Sequence, residues 1–401
     1  MKKKWEGNIW ENILKLIMFC FSISLFNKTG YFFAGTVVLM FFLYLKKIRV
    51  TIPVIILLIF SMTYFVFYIR HDELTVNSVI IYLFGPWCAY ILGKTYVECS
   101  LRKNAFMELV ISLSLGMWLH GMLNWIAYLR SEHAATYEHY RLAVDIWRGD
   151  IVSVTVTGMF FTFAAAISIG VLFSNVKRMY KYMAGIVVVS CFVVTVFFAN
   201  RTLLLIMAVL FCWRGLGVLF SQKESGRTKL FIITMVVITL LLFFVVFSYN
   251  IAGIRDWVMS LKIVQRFLSG ESGGRTKAWS YILRDNNWLK YPWGGRYIVR
   301  DSFVSYLHNL WLDIYNVVGI VPFAALVAFT ALYVGRFFHF SKFLSNNDRF
   351  DENKVIQCLM IALVLNSAVE PVIDANPYYF LTCLVFLGAM EGEMHRRNTV
   401  K

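Results

Sequence analysis

Apolar runs long enough to cross a lipid bilayer follow one another along almost the whole chain, and they limit what it can fold into. A crossing needs about 20 mostly apolar residues wound as a helix, because unpaired backbone groups cost several kcal/mol in hydrocarbon. Twelve such runs are read, centred near residues 20, 38, 61, 86, 117, 162, 190, 211, 240, 322, 362 and 384. With 59% hydrophobic and 15% charged residues, the chain is far more apolar than a soluble domain. The predicted fold is therefore all-α, a single polytopic membrane domain over residues 1–401 with about 12 transmembrane helices. One large loop, residues 253–302, is expected to carry short amphipathic helices. Lys2, Lys3 and Lys4 lead into an apolar run without a small-residue cleavage site, so the first span is expected to remain as an anchor.

Basic residues orient the spans, since cytoplasmic loops of membrane proteins are enriched in Lys and Arg. An even span count with the amino terminus in the cytoplasm places 23 Lys and Arg inside, among them Lys46, Lys47, Arg49, Lys94, Lys177, Arg178, Arg396 and Arg397. Fifteen fall outside; nine of these belong to the 253–302 loop and three to residues 130–150, and long loops obey the rule poorly. Both termini are thus predicted to be cytoplasmic. All seven cysteines, Cys20, Cys88, Cys99, Cys191, Cys212, Cys358 and Cys383, then lie in spans or on the cytoplasmic side, and no external disulfide is expected. The net charge of +16 is dispersed among helix ends, where anionic lipid accounts for it without nucleic acid.

The large loop is basic and aromatic. Arg255, Trp257, Val258, Leu261, Lys262, Val264, Arg266, Phe267 and Leu268 place apolar residues at three- and four-residue steps, the pattern of a helix lying in the membrane interface. Gly270, Gly273 and Gly274 break it, Arg275 to Trp279 open a second short helix, and Pro292 to Gly295 close that helix in a turn. Nine basic residues oppose Asp256, Glu271, Asp285 and Asp301, so the loop should attract a phosphorylated substrate or a lipid headgroup. A second loop, 130–150, holds His133, Tyr137, His139, Tyr140, Arg141, Asp145, Trp147, Arg148 and Asp150, and either covers a site or merely connects two helices.

Three features can carry chemistry. His308 and Asn309 stand where the tenth span begins; on a continuous helix His308 shares a face with Leu312, Tyr315 and Gly319. Histidine suits a general base, its unperturbed pKa being about 6.5, although an interfacial histidine bonding a neighbouring helix would look the same. Arg201, between Asn200 and Thr202 at a span end, is costly to place there unless it binds an anion or lipid phosphate. Arginine rather than lysine at Arg201, Arg275, Arg284, Arg296 and Arg300 fits bidentate phosphate binding. Glu370 and Asp374, flanking Pro371, either help activate an acceptor or are helix-end carboxylates. The chain has no zinc-type helical His pair and no glycine-rich phosphate loop with its lysine, so chemistry without metal, ATP or other cofactor is the default reading. Glu108, His120 and Asp313 are the chief ionisable residues in mid-span, fewer than a transport path would call for, and no internal repeat suggests a transporter.

Asn200-Arg201-Thr202 opening a span, Arg275 with Trp279 in a large loop followed by Pro292 and Gly294-Gly295, and His308-Asn309 separated by nine residues from Gly319 together resemble the O-antigen ligase and polymerase superfamily of bacterial membrane glycosyltransferases. The chain departs from the ligase pattern at Pro322, where that family prefers Gly, Thr or Tyr, and Arg284 followed after ten residues by Gly295 fits a loop pattern of polymerases. The resemblance implies an enzyme of the bacterial inner membrane, active on its external face. Its donor would be an undecaprenyl-diphosphate-linked oligosaccharide, its acceptor a glycan, and a polysaccharide chain-length regulator a further partner. It implies His308 as catalytic base, Arg201, Arg275 and Arg284 on the diphosphate, and Asn309, Gly319, Gly295 and Glu370 as other substrate-binding positions. Polymerisation of repeat units is the preferred expectation; a ligase acting on lipid A core, and a flippase or other transporter, are the alternatives.

Overall fold

The computed structural model describes residues 2–132, 142–220, 226–270, 275–283, 287–302, 306–345 and 350–399. The first part of the chain forms α1 (Lys2–Ser22), α2 (Thr29–Tyr44), α3 (Ile52–Tyr68), α4 (Val76–Cys99) and α5 (Ala105–Arg130). A two-stranded antiparallel hairpin follows, β1 (Leu142–Val144) paired with β2 (Ile151–Ser153) with Ala143 opposite Val152, and leads directly into α6 (Val154–Leu172). Next come α7 (Arg178–Phe197), α8 (Arg201–Leu219) and α9 (Gly226–Ser248). The large loop carries α10 (Ile254–Ser260), α11 (Lys262–Leu268), α12 (Arg275–Leu283), α13 (Asn287–Lys290) and α14 (Tyr297–Ser302). The chain ends with α15 (Leu310–Val318), α16 (Ile320–Ser345), α17 (Phe350–Val369), α18 (Val372–Ala375) and α19 (Pro377–Thr399).

Among the described residues, eight helices are long and apolar enough to cross a membrane: α2 continued as far as Lys47, α4, α5, α6, α7, α8, α16 and α17. Side chains such as Phe42, Val189, Leu205 and Leu242 are exposed on the outside of the bundle, as a bilayer-facing surface requires. These are the features of a multi-pass membrane protein. The expected count of twelve spans is not confirmed on length and composition among the described residues: α3 has 17 residues, and α19 carries Glu391, Glu393, Arg396 and Arg397 toward its end.

The tenth span also differs from expectation, because the apolar stretch after Asn309 is two helices broken at Gly319. Gly319 has φ 89° and ψ −168°, a conformation that only glycine adopts readily. His308 is not helical at all, with φ 53°, so it shares no helix face with Leu312, Tyr315 and Gly319. The interfacial segment from Arg255 is likewise two short helices, α10 and α11, joined through extended Leu261.

Small residues allow the closest helix packing, as expected where lipid removes the hydrophobic incentive for helices to associate. A Cβ on Gly388 of α19 would fall on the carbonyl of Tyr90 in α4, and one on Gly93 would meet the Ala389 nitrogen at 2.8 Å. Gly388→Leu is expected to cost about 1–3 kcal/mol or more by forcing the two helices apart. The unfolding midpoint of purified protein in detergent measures this, and a midpoint equal to wild type would refute the close approach.

Loops gather at two ends of the bundle. At one end the Trp147 indole donates to the Ile23 carbonyl (3.1 Å), Arg266 to the Ala199 carbonyl (2.6 Å) and Arg201 to the Arg266 carbonyl (2.7 Å). At the other, Arg102 pairs with Glu11 (3.2 Å) and Glu108 (2.9 Å), and Arg396 donates to the Arg102 carbonyl (2.6 Å). Near that second end Glu391, almost fully buried, is surrounded by Lys94 at 3.7 Å, Arg336 and the Tyr90 hydroxyl. A buried carboxylate is tolerable in such a place only with partners of this kind.

Candidate functional site

A cavity of about 460 Å³ opens at the first end, and His308 lies in its wall. The backbone that presents His308 is fixed from several directions. Asp313, buried in the first turn of α15, accepts from the Leu307 N–H (2.8 Å) with one oxygen and the Asn309 N–H (3.1 Å) with the other, bracketing His308. The Trp279 indole on α12 donates to the Leu307 carbonyl at 2.7 Å. Left-handed backbone at a residue other than glycine costs of order 1–3 kcal/mol and persists only when its surroundings over-determine it. The Asp313 and Trp279 bonds supply that constraint.

Asn309 ties the same segment to its neighbours. Its side-chain oxygen caps α15 by accepting from the Leu312 N–H (3.1 Å), and its amide donates to the Ala368 carbonyl near the end of α17 (3.0 Å). Two residues beyond Ala368 is Glu370, nearly fully buried, with a carboxylate oxygen 3.6 Å from Nδ1 of His308. That is an ion-pair separation once the imidazole takes a proton. Nδ1 faces Glu370, which makes Nε2 the nitrogen turned away from the carboxylate. The arrangement suits a base whose cationic form a carboxylate stabilises, the logic of histidine–carboxylate pairs in acyl-transfer enzymes.

Asp374, also in the cavity wall, has a different task from Glu370. It binds Arg296 Nη1 at 2.9 Å, while Asp72 lies 3.8 Å from Nη2. Burial works against the Arg296 charge, but the bond to Asp374 outweighs it and pushes the guanidinium pKa up. Arg296 is therefore engaged by carboxylates.

The remaining expected positions are placed as follows. Arg201 opens α8 away from the cavity wall, its guanidinium bonded to the Arg266 carbonyl and 5.7 Å from the centre of the Phe267 ring. Asn200 caps the same helix by accepting from the Leu203 N–H (3.1 Å). Arg275 opens α12, but its side chain lies outside the described residues, as do Arg284, His133, Tyr137, His139, Tyr140 and Arg141. Gly295 and Gly319 hold the chain together: the Gly295 N–H donates to the Val317 carbonyl (3.0 Å) and the Ile320 N–H to the Pro292 carbonyl (2.9 Å), docking the Pro292–Gly295 turn on the break between α15 and α16.

Across the cavity wall the structure brings in residues that no motif singled out as a site. His120 and Asn124 stand one turn apart on α5, and the hairpin turn folds over them, with the Ile146 N–H donating to Asn124 Oδ1 (3.0 Å). Asp145 in that turn accepts from the Trp147 and Arg148 N–H groups (2.9 and 3.0 Å) through one oxygen and places the other 3.6 Å from His120 Nε2. Burial alone would raise the Asp145 pKa, but His120 and the two N–H donors hold it below the usual carboxylate range. The signal available in the sequence was a mid-span histidine followed by a polar loop; joining the two requires the hairpin, which only the fold shows. No protein-family model matches the chain, and no curated protein matches it.

Proposed function

We propose that this chain is an integral-membrane glycosyltransferase that transfers oligosaccharide from undecaprenyl diphosphate to an acceptor glycan on the external face of the membrane, polymerising repeat units of a surface polysaccharide. The observation that carries the reading is His308, held in strained backbone against buried Glu370 in a polar cavity at the loop end of the bundle. In this reading twelve helices cross the bacterial inner membrane with both termini in the cytoplasm. The excess of Lys and Arg at the end opposite the cavity supports that orientation.

The acceptor hydroxyl oxygen forms a bond to the anomeric carbon while its proton passes to His308. The bond from that carbon to the diphosphate oxygen breaks, and the electron pair leaves on undecaprenyl diphosphate. A single displacement inverts the anomeric configuration. Glu370 stabilises the imidazolium as it forms. Arg275 and Arg284 neutralise the departing diphosphate, the charge stabilisation that a metal ion supplies in other transferases.

Incubating the purified protein in lipid with the pathway's own undecaprenyl-diphosphate oligosaccharide, and resolving products by gel, tests the reading. A ladder of lengths is expected. Consumption of donor only when lipid A core is added would replace polymerase by ligase, and no consumption by folded protein in either case would refute the transferase.

A further inference from the structure

His120 is 3% exposed, lines the cavity, and makes no hydrogen bond through either ring nitrogen; an Asp145 oxygen stands 3.6 Å from Nε2. Such an imidazole loses about 1–3 kcal/mol by being taken from water unsatisfied, so it ordinarily has a partner. It lies ten residues in from the end of α5, about 15 Å along the helix axis. Its ring packs against Phe160, with centroids 4.7 Å apart, and that fixes its direction.

The chemistry around it is mostly uncharged or acidic. Two carboxylates, Asp145 and Asp374, face the same space as the side chains of Asn124, Tyr82 and Tyr306, and Arg148 supplies the one guanidinium among the described residues that line it. Arg296, behind Asp374, is already held by Asp374 and Asp72. A diphosphate placed deep in this cavity would meet the Asp145 carboxylate, and Arg296, held by Asp374, offers it no free cation. A sugar would meet aromatic faces and an alternation of donors and acceptors, and a pocket of this size lies within the roughly 300–1,000 Å³ of small-ligand sites.

We infer that the floor of the cavity is a binding subsite for the hydroxyl groups of a neutral sugar, anchored by His120 with Asp145, and that the diphosphate is held elsewhere. The inference rests on the proposed transfer reaction for the sugar's role, though not for its binding. One imidazole nitrogen donates to a sugar oxygen and the other accepts from a hydroxyl, while the Asp145 oxygen that faces His120 takes a second hydroxyl. The hairpin turn, pinned by Asn124 and by the Trp147 bond to the Ile23 carbonyl, holds Asp145 at the required height.

The probes are the water-soluble oligosaccharide released by mild acid from the lipid-linked donor, and inorganic diphosphate, each titrated by calorimetry into protein in nanodiscs. Wild type is expected to bind the oligosaccharide, His120→Ala to bind it at least about tenfold more weakly, and His120→Gln, which keeps a donor and an acceptor, to recover part of the loss. Diphosphate affinity should be the same in all three. Oligosaccharide binding unchanged in a folded His120→Ala protein would overturn the subsite, as would loss of diphosphate binding in that variant. If wild type binds oligosaccharide through His120 yet consumes no lipid-linked donor, the transferase reading fails and the subsite stands. If donor turnover and KM are unaltered in His120→Ala, the subsite fails and the transferase stands.

Discussion

Replacing His308 by alanine is expected to lower kcat by about 10²–10⁴-fold while KM for the lipid-linked donor changes little. Removing a positioned general base has an effect of that size. The split follows because proton transfer to the base is realised only in the transition state, so its loss appears in kcat and kcat/KM together. The variant should fold, since what fixes this segment is the backbone: Asp313 accepts from Leu307 and Asn309, and Trp279 donates to Leu307. Alanine also relieves none of the left-handed strain, so no gain in stability complicates the comparison. Steady-state rates beside an unfolding midpoint check both halves. A rate within a few-fold of wild type would remove His308 from the chemistry.

Gly319→Ala is expected to cost about 3 kcal/mol or more from backbone strain and overpacking combined. The added Cβ would meet the Cα and carbonyl carbon of Trp293 at 2.8 Å, at a φ of 89° that disfavours any side chain. To relieve the clash the Pro292–Gly295 turn must lift from α15, which breaks the bonds from Gly295 to Val317, Arg296 to Asn316 and Ile320 to Pro292. Gly335→Ala on α16 is the control, because a Cβ there meets nothing within 4 Å. The unfolding midpoint should fall sharply for Gly319→Ala and stay level or rise for Gly335→Ala. Equal midpoints would contradict the docked turn.

Helices were legible because lipid-crossing runs of about 20 apolar residues leave little else for the chain to form. The break at Gly319 was not, since apolar residues continue on both sides from Leu310 to Leu326 and a lone glycine does not by itself end a helix. His308 and Glu370 could be suspected separately; their approach to 3.6 Å depends on Asn309 bridging to the end of α17. His120 and Asp145 are 25 positions apart, and a hairpin of two three-residue strands joins them, a pairing too short to announce itself as alternating strand pattern. Arg201 was read as a span-end charge awaiting an anion. A span end is also where a guanidinium meets the open carbonyls of a neighbouring short helix, and here Arg201 bonds the carbonyl of Arg266 in α11.

The transferase reading stands or falls on release of undecaprenyl diphosphate from the lipid-linked oligosaccharide by purified protein in lipid, followed over time with wild type and His308→Ala side by side. Release by wild type in step with growth of the acceptor glycan, and its near absence in the folded variant, is the predicted result. Release at equal rates from both, or from neither, would contradict it.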